Sequence, residues 1–263
     1  MRKVKSGDSF EFWVIMKIGL KILRVKSCTS TNDLAKKLAL AGEKEGTVIL
    51  AEEQTKGRGT KGRLWYSAAK KGLYISVILK PSLDLLSLLP LTAGVAVSDA
   101  CEAALGLRIK LRWPNDLLWR WKKLGGILCE TSFSGDRLNY TALGLGLNVN
   151  HNQEDFPLDI RHQSTSLKII TNKEVTVDSL LPCLWPALDK WYQALLKGSR
   201  KRIIDSFLKK SAFSLGEKLA VLTDEGPFQG LFKGINWEGG LVVDRDGQEK
   251  VFFSGEIRRV RIA

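Results

Sequence analysis

A glycine-rich basic loop is the segment of this sequence best suited to chemistry. Residues 57–63, the glycine-basic loop, have the sequence GRGTKGR, which places cationic side chains between glycines. Glycines allow backbone N–H groups to approach an anion closely, and guanidinium groups donate two parallel hydrogen bonds to a carboxylate or phosphate. Dinucleotide-binding loops of the G-x-G-x-x-G type need a helix directly afterwards, and residues 64–72 have a poor helix sequence. The loop therefore predicts anion binding, although a solvated basic hairpin would have the same composition.

A second candidate cluster follows a predicted strand. Pro114 lacks an N–H donor and should end that strand, which places Asn115 and Asp116 at a strand end, where ligand-binding groups often lie. Asp116 could bind a divalent cation beside an anion, although an ordinary Asn-Asp turn would have the same sequence. Lys123 precedes the next apolar strand, so its charge could point into a site or simply extend along the surface.

Two later strands carry glycines where a ligand could approach the backbone. Gly126 belongs to a Gly-Gly pair at the head of an apolar segment, and Gly144 and Gly146 alternate on the way to Asn148. Because glycine has no Cβ, a ligand can lie directly against such strands.

The elements that would position these residues form a mixed α/β pattern followed by an all-β one. Helical spacing of apolar residues, with Ser30 as N-cap and Asp33 three residues later, predicts a first helix that ends at Gly42. Turn sequences at 224–227, 238–240 and 246–247 predict a small barrel from about residue 214. The other predicted helices cover 85–105, 178–196 and 200–210, and the predicted strands cover 18–26, 46–52, 73–79, 108–113, 125–132 and 138–149.

Composition narrows the class of protein. Of the 263 residues, 44% are hydrophobic, which excludes a disordered chain. The formal net charge of +13 favours an anionic partner. The two histidines, His151 and His162, lie in loop-like sequence without metal-ligand spacing, so a zinc hydrolase is not expected. Four cysteines without C-x-x-C pairing predict free thiols. Without a signal peptide or an apolar run long enough to span a membrane, we expect a cytoplasmic protein.

Three motifs, in this order along the chain, resemble those of the biotin–protein ligases. They are Ser30-Thr31-Asn32, then Gly57-Arg58-Gly59 with Gly62-Arg63 and Trp65, then Trp113-Pro114-Asn115-Asp116 with Lys123-Leu124 and Gly126-Ile127-Leu128. The resemblance covers about residues 18–262. It implies an α/β (α+β) fold with a class II aminoacyl-tRNA synthetase-like catalytic domain at 1–212 and an SH3-like barrel at 213–263.

The resemblance also implies a reaction in two steps. Biotin and ATP, with Mg²⁺, give biotinyl-5′-AMP, and a lysine of a biotin carboxyl carrier domain then takes the biotin. Lys123 and Arg58 are the implied catalytic residues, and Asp116 is an implied metal ligand. The implied biotin-binding residues are Ser30, Thr31, Gln54, Gly57, Arg58, Lys123, Gly126 and Gly144. The implied nucleotide-binding residues are Arg63, Trp65, Asn115, Asp116 and Asn148.

The sequence departs from the family pattern at Thr60, where an arginine is frequent. We therefore expect looser retention of the adenylate. Because 17 residues precede the first predicted strand, we expect a ligase without a DNA-binding domain, and Met16 could be a second translation start. The family also implies a possible homodimer.

Two alternatives remain at this point. One is a lipoate–protein ligase of the same fold, against which the glycine-basic loop and the C-terminal barrel argue. The other is a nucleic-acid-binding protein, which the net charge and the small barrel suggest.

Overall fold

A seven-stranded sheet with helices on both faces forms the larger part of the fold. The computed structural model describes residues 3–4, 12–13, 17–223 and 226–259. The strands are β1 (Lys3–Val4), β2 (Phe12–Trp13), β3 (Ile22–Cys28), β4 (Val48–Gln54), β5 (Gly72–Leu79), β6 (Lys110–Arg112), β7 (Asp116–Trp119), β8 (Lys122–Ser134), β9 (Arg137–Asn148), β10 (Lys218–Thr223), β11 (Gly226–Ile235), β12 (Leu241–Arg245), β13 (Gln248–Phe252) and β14 (Glu256–Arg259). The α-helices are α1 (Thr31–Leu40), α2 (Leu89–Leu105), α3 (Leu167–Thr171), α4 (Val177–Leu196) and α5 (Arg200–Lys210).

The large sheet has the strand order β3-β4-β5-β9-β8-β7-β6. Only the β3–β4 pair is parallel among these described strands, and the others run antiparallel. Every residue of β5 is buried, because this strand lies inside the sheet with helices above and below it. The seven-stranded sheet and its helices therefore form a mixed α/β fold, as the sequence predicts.

Alternate residues of the same strands face two different cores. Val48 and Leu50 belong to the main core, which includes α2, α4 and α5, whereas Ile49 packs with Ala35 of α1 on the opposite face. Such alternation is the two-residue period of a strand. Helix α1 is therefore held on the face of the sheet opposite the other long helices.

The segment Leu83–Leu105 is the one described helical segment long and apolar enough to cross a membrane, with a mean hydropathy of 1.4. Asp84, Asp99 and Glu102 lie within this segment, so it is not an uninterrupted apolar run. Of its most apolar 18 residues, 67% are buried inside the protein, as in a core helix.

A second, five-stranded antiparallel sheet has the order β13-β12-β11-β10-β14. It begins near the boundary where the sequence predicts a small β-rich unit, and Asp246 and Gly247 form a tight turn with positive φ angles. The indole Nε1 of Trp113 donates to the carbonyl oxygen of Gly239 over 3.0 Å, which joins this sheet to the larger one. The predicted turn at 224–227 and the proposed start at Met16 fall wholly or partly outside the described residues.

Local differences from the predictions have physical reasons. Strand β3 begins at Ile22 rather than at residue 18, because Ile18 and Gly19 are held by Asp189 and Gly46 instead. Ser30 occupies the N-cap of α1, but its side chain makes no capping hydrogen bond, so the predicted capping box was wrong. Asp116 begins β7 and pairs with Arg112 across a hairpin, whereas no strand was predicted there.

Candidate active site

Two adjoining cavities open beside the glycine-basic loop. The inner cavity has a volume of about 40 Å³ and the outer cavity about 270 Å³. Both are lined by the same five residues where they meet, which are Gly59, Thr60, Trp65, Asn115 and Lys123. Positive charge from Lys123 is therefore present at the junction.

Most of the predicted site residues line one of these cavities. The inner cavity is lined by Ser30, Thr31, Gln54, Arg58, Lys123, Gly126 and Gly144 of the predicted biotin site. The outer cavity is lined by Arg63, Trp65, Asn115, Asp116 and Asn148 of the predicted nucleotide site. Lys123, Trp65 and Asn115 line both cavities, and Gly57 lines neither. The structure thus brings all of these residues except Gly57 to two adjoining cavities, while their binding roles stay predictions.

A chain of hydrogen bonds forms the polar end of the inner cavity. Gln54 Oε1 accepts from the backbone N–H of Thr31 over 2.8 Å, and Gln54 Nε2 donates to Ser67 Oγ over 2.8 Å. Ser76 Oγ lies 2.8 Å from Thr31 Oγ1 and 2.5 Å from Asn32 Oδ1. Ser76 is fully buried, so these partners replace water around its hydroxyl. The end of α1 and strands β4 and β5 are thereby fixed to one another.

The glycine-basic loop is closed by its own backbone. The N–H of Trp65 donates to Gly57 O over 2.9 Å, and that of Gly59 donates to Arg63 O over 2.7 Å. A Cβ on Gly57 would collide with Trp65 O and Ser67 Oγ, so only glycine fits there. Gly57 therefore shapes the loop instead of lining a cavity.

Arg58 is held by two carboxylates. Its Nη2 lies 2.7 Å from Asp33 Oδ1 and 2.8 Å from Glu130 Oε2, while its buried Nε has no partner. Burial alone would raise the pKa of Glu130, but hydrogen bonds from Asn32 and Lys36 and the charges of Lys36 and Arg58 outweigh it and lower that pKa. Glu130 is therefore ionised at neutral pH.

Lys123 carries the charge at the cavity junction. Its Nζ lies 2.6 Å from Asp116 Oδ1 and 5.5 Å from the ring centroid of Trp65. Asp116 Oδ2 accepts from Arg112 over 2.6 Å. Burial would raise the pKa of Asp116, but the charges of Lys123 and Arg112 and their hydrogen bonds lower it overall. One anionic carboxylate thus holds two cations beside the outer cavity.

Trp65 lies across the central strands. A Cβ on Gly146 would collide with the indole ring, and one on Gly126 would lie 3.6 Å from it. The buried indole Nε1 has no hydrogen-bond partner among the residues that the structure describes, so it is a donor left for a ligand or water. Gly146 of β9 therefore makes room for the indole ring of Trp65, whereas Gly144 makes room for Asn32, which their spacing alone did not indicate.

The two asparagines hold backbone at the cavity walls. Asn115 Nδ2 donates to Ile127 O over 2.8 Å, and Asn148 Nδ2 donates to Thr165 O over 3.1 Å. Their side-chain amides are thus fixed, and the remaining Oδ1 atoms are the groups left to accept from a ligand.

The C-terminal sheet supplies part of the outer cavity. Gly255, Glu256 and Ile257 line it, and Arg63 Nη2 lies 2.7 Å from Glu256 Oε2. The hydrogen bond from Arg63 lowers the pKa of Glu256, and the charges of Arg63 and Arg258 lower it further. Burial opposes this shift but does not outweigh it.

His151 is buried close to the outer cavity. Its ring stacks on Phe156 with centroids 5.0 Å apart and an interplanar angle of 17°. Burial lowers its pKa to about 4, so it is neutral at pH 7. This arrangement suits a packing role.

No group of three or more His, Cys, Asp or Glu side chains that could bind a metal occurs among the described residues. The oxygens of Asp116 already accept from Lys123 and Arg112. The two cationic partners already balance its negative charge, so this carboxylate alone does not form a metal site, and its metal role stays a prediction.

Sequence reasoning missed three polar residues that hold the site together. They are Ser67, Ser76 and Glu130. Asn32 and Glu256 belong to segments that carry the family resemblance, but neither had an assigned role. Single serines and glutamates carry no spacing signal, because their partners lie up to 193 residues away in the chain.

Comparison with known proteins gives a consistent result. Residues 24–148 match the Biotin/lipoate A/B protein ligase family. The bifunctional ligase/repressor BirA of Bacillus subtilis is 32% identical over 231 residues, which cover 87% of this chain and 71% of the relative. A biotin–[acetyl-CoA-carboxylase] ligase of Paracoccus denitrificans is 31% identical over 234 residues, which cover 87% of this chain and 96% of the relative.

A solved structure is similar throughout. The biotin protein ligase from Aquifex aeolicus, in complex with biotin and ATP, superposes with a TM-score of 0.80 at 30% identity, covering 92% of this chain and 100% of that one. Together with the two curated relatives, this similarity extends well beyond the segment that carries the motifs. The chain therefore belongs to the biotin/lipoate A/B protein ligase family.

Proposed function

We propose that this protein is an ATP-dependent biotin–protein ligase, which forms biotinyl-5′-AMP and transfers biotin to a lysine of a carrier domain. The observation that carries the proposal is the meeting of two cavities of different size at Lys123. An acid bound in the inner cavity and a nucleotide bound in the outer one would place carboxylate and phosphate at this junction. Family membership and the biotin- and ATP-bound structure of the Aquifex relative support the assignment.

The inner cavity suits a cyclic urea better than a dithiolane. Thr31, Asn32 and Gln54 supply donors and acceptors in its wall, with the buried Ser76 bonded to the first two, and Gly126 and Gly144 leave room against the strands. A site built for hydrogen bonds rejects an analogue without them, because its own polar groups would lose their partners. This feature favours biotin over lipoate, which is the alternative substrate within the family.

Adenylation joins two anions, so the site must offset their repulsion. A biotin carboxylate oxygen attacks the α-phosphorus of ATP, the bond to the leaving phosphate breaks, and pyrophosphate departs. Lys123, Arg58 and Arg63 would supply positive charge where the transition state is most negative. No side chain of the protein needs to act as nucleophile, and a neutral, buried His151 is consistent with that scheme.

Magnesium is expected with ATP, since Mg²⁺ is commonly held by substrate phosphates with one or two carboxylates. Asp116 and Glu256 are carboxylates of the outer cavity, and each is paired with arginine or lysine side chains, so Mg²⁺ would be held mainly by the phosphates.

Transfer follows when an acceptor lysine amine attacks the acyl carbon of the adenylate, AMP leaves, and the amine loses a proton. We infer that the acceptor belongs to a biotin carboxyl carrier domain. A reactive acyl-adenylate must be kept from water, and the glycine-basic loop, shared by both cavities, is placed to do this.

We infer a class II synthetase-like catalytic domain at 1–212 and an SH3-like barrel at 213–263, in a cytoplasmic protein that does not act on DNA and could form a homodimer. The division agrees with a sheet that begins at Lys218 and is antiparallel throughout.

Pyrophosphate release with biotin and ATP tests the proposal. We expect activity with biotin, little with lipoate, and a loss of about 10²-fold or more for Lys123→Ala, because a charge at the reacting centre is removed. Lys122→Ala is the matched control, since Lys122 is exposed and lies beside the site residue in the same strand. Activity with lipoate alone would favour the lipoate ligase. Tight, salt-dependent nucleic-acid binding without pyrophosphate release would favour the nucleic-acid-binding alternative.

A further inference from the structure

A cluster of charges outside the predicted site holds its catalytic arginine. Glu130 Oε2 accepts from Arg58 Nη2 over 2.8 Å and from Asn32 Nδ2 over 2.7 Å, while Oε1 accepts from Lys36 Nζ over 2.9 Å. Asp33 Oδ1 is a second partner of the same Arg58 nitrogen. The side chain of Glu130 is only 23% exposed, so these contacts are partly shielded from water.

The position of Glu130 in the fold allows it to contact two parts of the site. Strand β8 pairs with β9, against which α1 packs, so its Glu130 reaches both the first turn of α1 and the glycine-basic loop. Because Arg58 lines the inner cavity, fixing one guanidinium nitrogen determines where the others lie. The buried Nε, which has no partner among the described residues, is then a donor available to a bound anion.

The same carboxylate also contacts the polar end of the inner cavity. Asn32, which donates to Glu130, is bonded through Oδ1 to Ser76, and Ser76 is bonded to Thr31. The residues facing the urea end and the arginine facing the carboxylate end of the proposed substrate are therefore joined through one carboxylate.

We propose that Glu130 is a positioning residue, which holds Arg58 and the glycine-basic loop in the geometry that binds the substrate carboxylate. The proposal rests on the proposed biotin ligase function for its kinetic consequence. Glu130 acts through Arg58 and does not itself contact the substrate. Asp33 acts in the same way on the same nitrogen, and Lys36 balances the charge of Glu130 without contacting Arg58.

A double-mutant cycle on the full chain tests whether Glu130 acts through Arg58. We expect Glu130→Ala to lower kcat/KM for biotin in pyrophosphate release by about tenfold, since hydrogen bonds to charged groups are among the stronger ones. In an Arg58→Ala background, Glu130→Ala should change kcat/KM by less than about twofold, because its target is absent. An equal factor in both backgrounds would overturn the proposal.

Lys36→Ala is the matched control, because it removes an ion pair of similar length from the other oxygen of Glu130. We expect kcat/KM near that of the unchanged protein. If Lys36→Ala lowers kcat/KM as much as Glu130→Ala does, Glu130 has only a general structural role and the proposal fails. If Glu130→Ala does not fold, Glu130→Gln takes its place in the same cycle.

Trypsin digestion separates this proposal from the proposed function. The loop contains cleavage sites at Arg58, Lys61 and Arg63. Without any ligand, we expect Glu130→Ala to raise the rate of cleavage within residues 57–63 by about tenfold, and Lys36→Ala to leave it unchanged. Unchanged cleavage in Glu130→Ala would overturn the positioning role. Absence of pyrophosphate release by the unchanged protein would instead overturn the ligase function.

Discussion

Arg63 of the glycine-basic loop and Glu256 of β14 form an ion pair of 2.7 Å, which joins the loop to the five-stranded sheet. Both residues line the outer cavity. The loop is thus joined at Arg58 to the seven-stranded sheet and at Arg63 to the five-stranded sheet. The carboxylates that orient these two arginines lie far apart in the chain.

Removing the Glu256 carboxylate should affect the nucleotide more than biotin. Glu256→Gln leaves Arg63 without its partner, so we expect the KM for ATP to rise by about twofold to fivefold, the range of a partly exposed ion pair. The KM for biotin should stay nearly constant. Steady-state pyrophosphate release measures both constants, and Glu249→Gln, an exposed position on β13, is the control. A rise in the KM for biotin equal to that for ATP would contradict the assignment of the outer cavity.

Gly144 should not accept a side chain. A Cβ at this position would lie 2.5 Å from Asn32 Oδ1, within the polar network of the inner cavity. We expect Gly144→Ala to destabilise the protein by about 1–3 kcal/mol and to weaken biotin binding. Thermal unfolding and calorimetry of biotin binding would measure these effects.

Gly94→Ala is the control for this substitution. A Cβ at Gly94 would make ordinary contacts of 3.5 Å inside helix α2, where alanine is preferred over glycine. A Gly144→Ala protein as stable as Gly94→Ala, with unchanged biotin affinity, would show that the close approach has no consequence.

The ion pairs of Asp116 should give a pH dependence to stability. Its pKa is lowered below the model-compound value of 3.8, so its stabilisation is present above that value and is lost as pH falls through the folded-state pKa. We expect Asp116→Asn to be less stable than the unchanged protein at pH 6, and the difference in Tm to shrink as the pH falls toward 3.

The control for Asp116 is Asp246→Asn, an exposed aspartate in a hairpin turn with a positive φ that asparagine also accepts. Its Tm should follow that of the unchanged protein at each pH. A constant Tm difference between Asp116→Asn and the unchanged protein from pH 6 to pH 3 would contradict the expected linkage.

Thr60 lines both cavities. It occupies the loop position for which the family resemblance implies an arginine. Thr60→Arg adds a donor beside the adenylate, so we expect less free biotinyl-AMP to be released during turnover without carrier. Chromatographic detection of released adenylate checks this, with Thr55→Arg, an exposed position before the loop, as control. Equal release from Thr60→Arg and the unchanged protein would remove Thr60 as the cause of leakage.

Local pattern predicted most elements of this fold. Residues 178–196 and 200–210 form α4 and α5 almost as predicted, because apolar spacing and flanking polar residues mark helix ends. Strand β7 and helix α3 were missed, since four and five residues are too few for a period to stand out. Every site residue predicted from the motifs except Gly57 lines one of the two cavities, and Lys123, Trp65 and Asn115 line both.

The sequence by itself determined which residue types are available: a basic glycine loop, Lys123, and strands with glycine at alternate positions. Only the tertiary structure decided their partners. Glu130 meets Arg58 across 72 residues and Glu256 meets Arg63 across 193, because strand pairing and the docking of the second sheet set those distances. A carboxylate can hold a cation in place only within a few ångströms, and that proximity has no local signature in the chain.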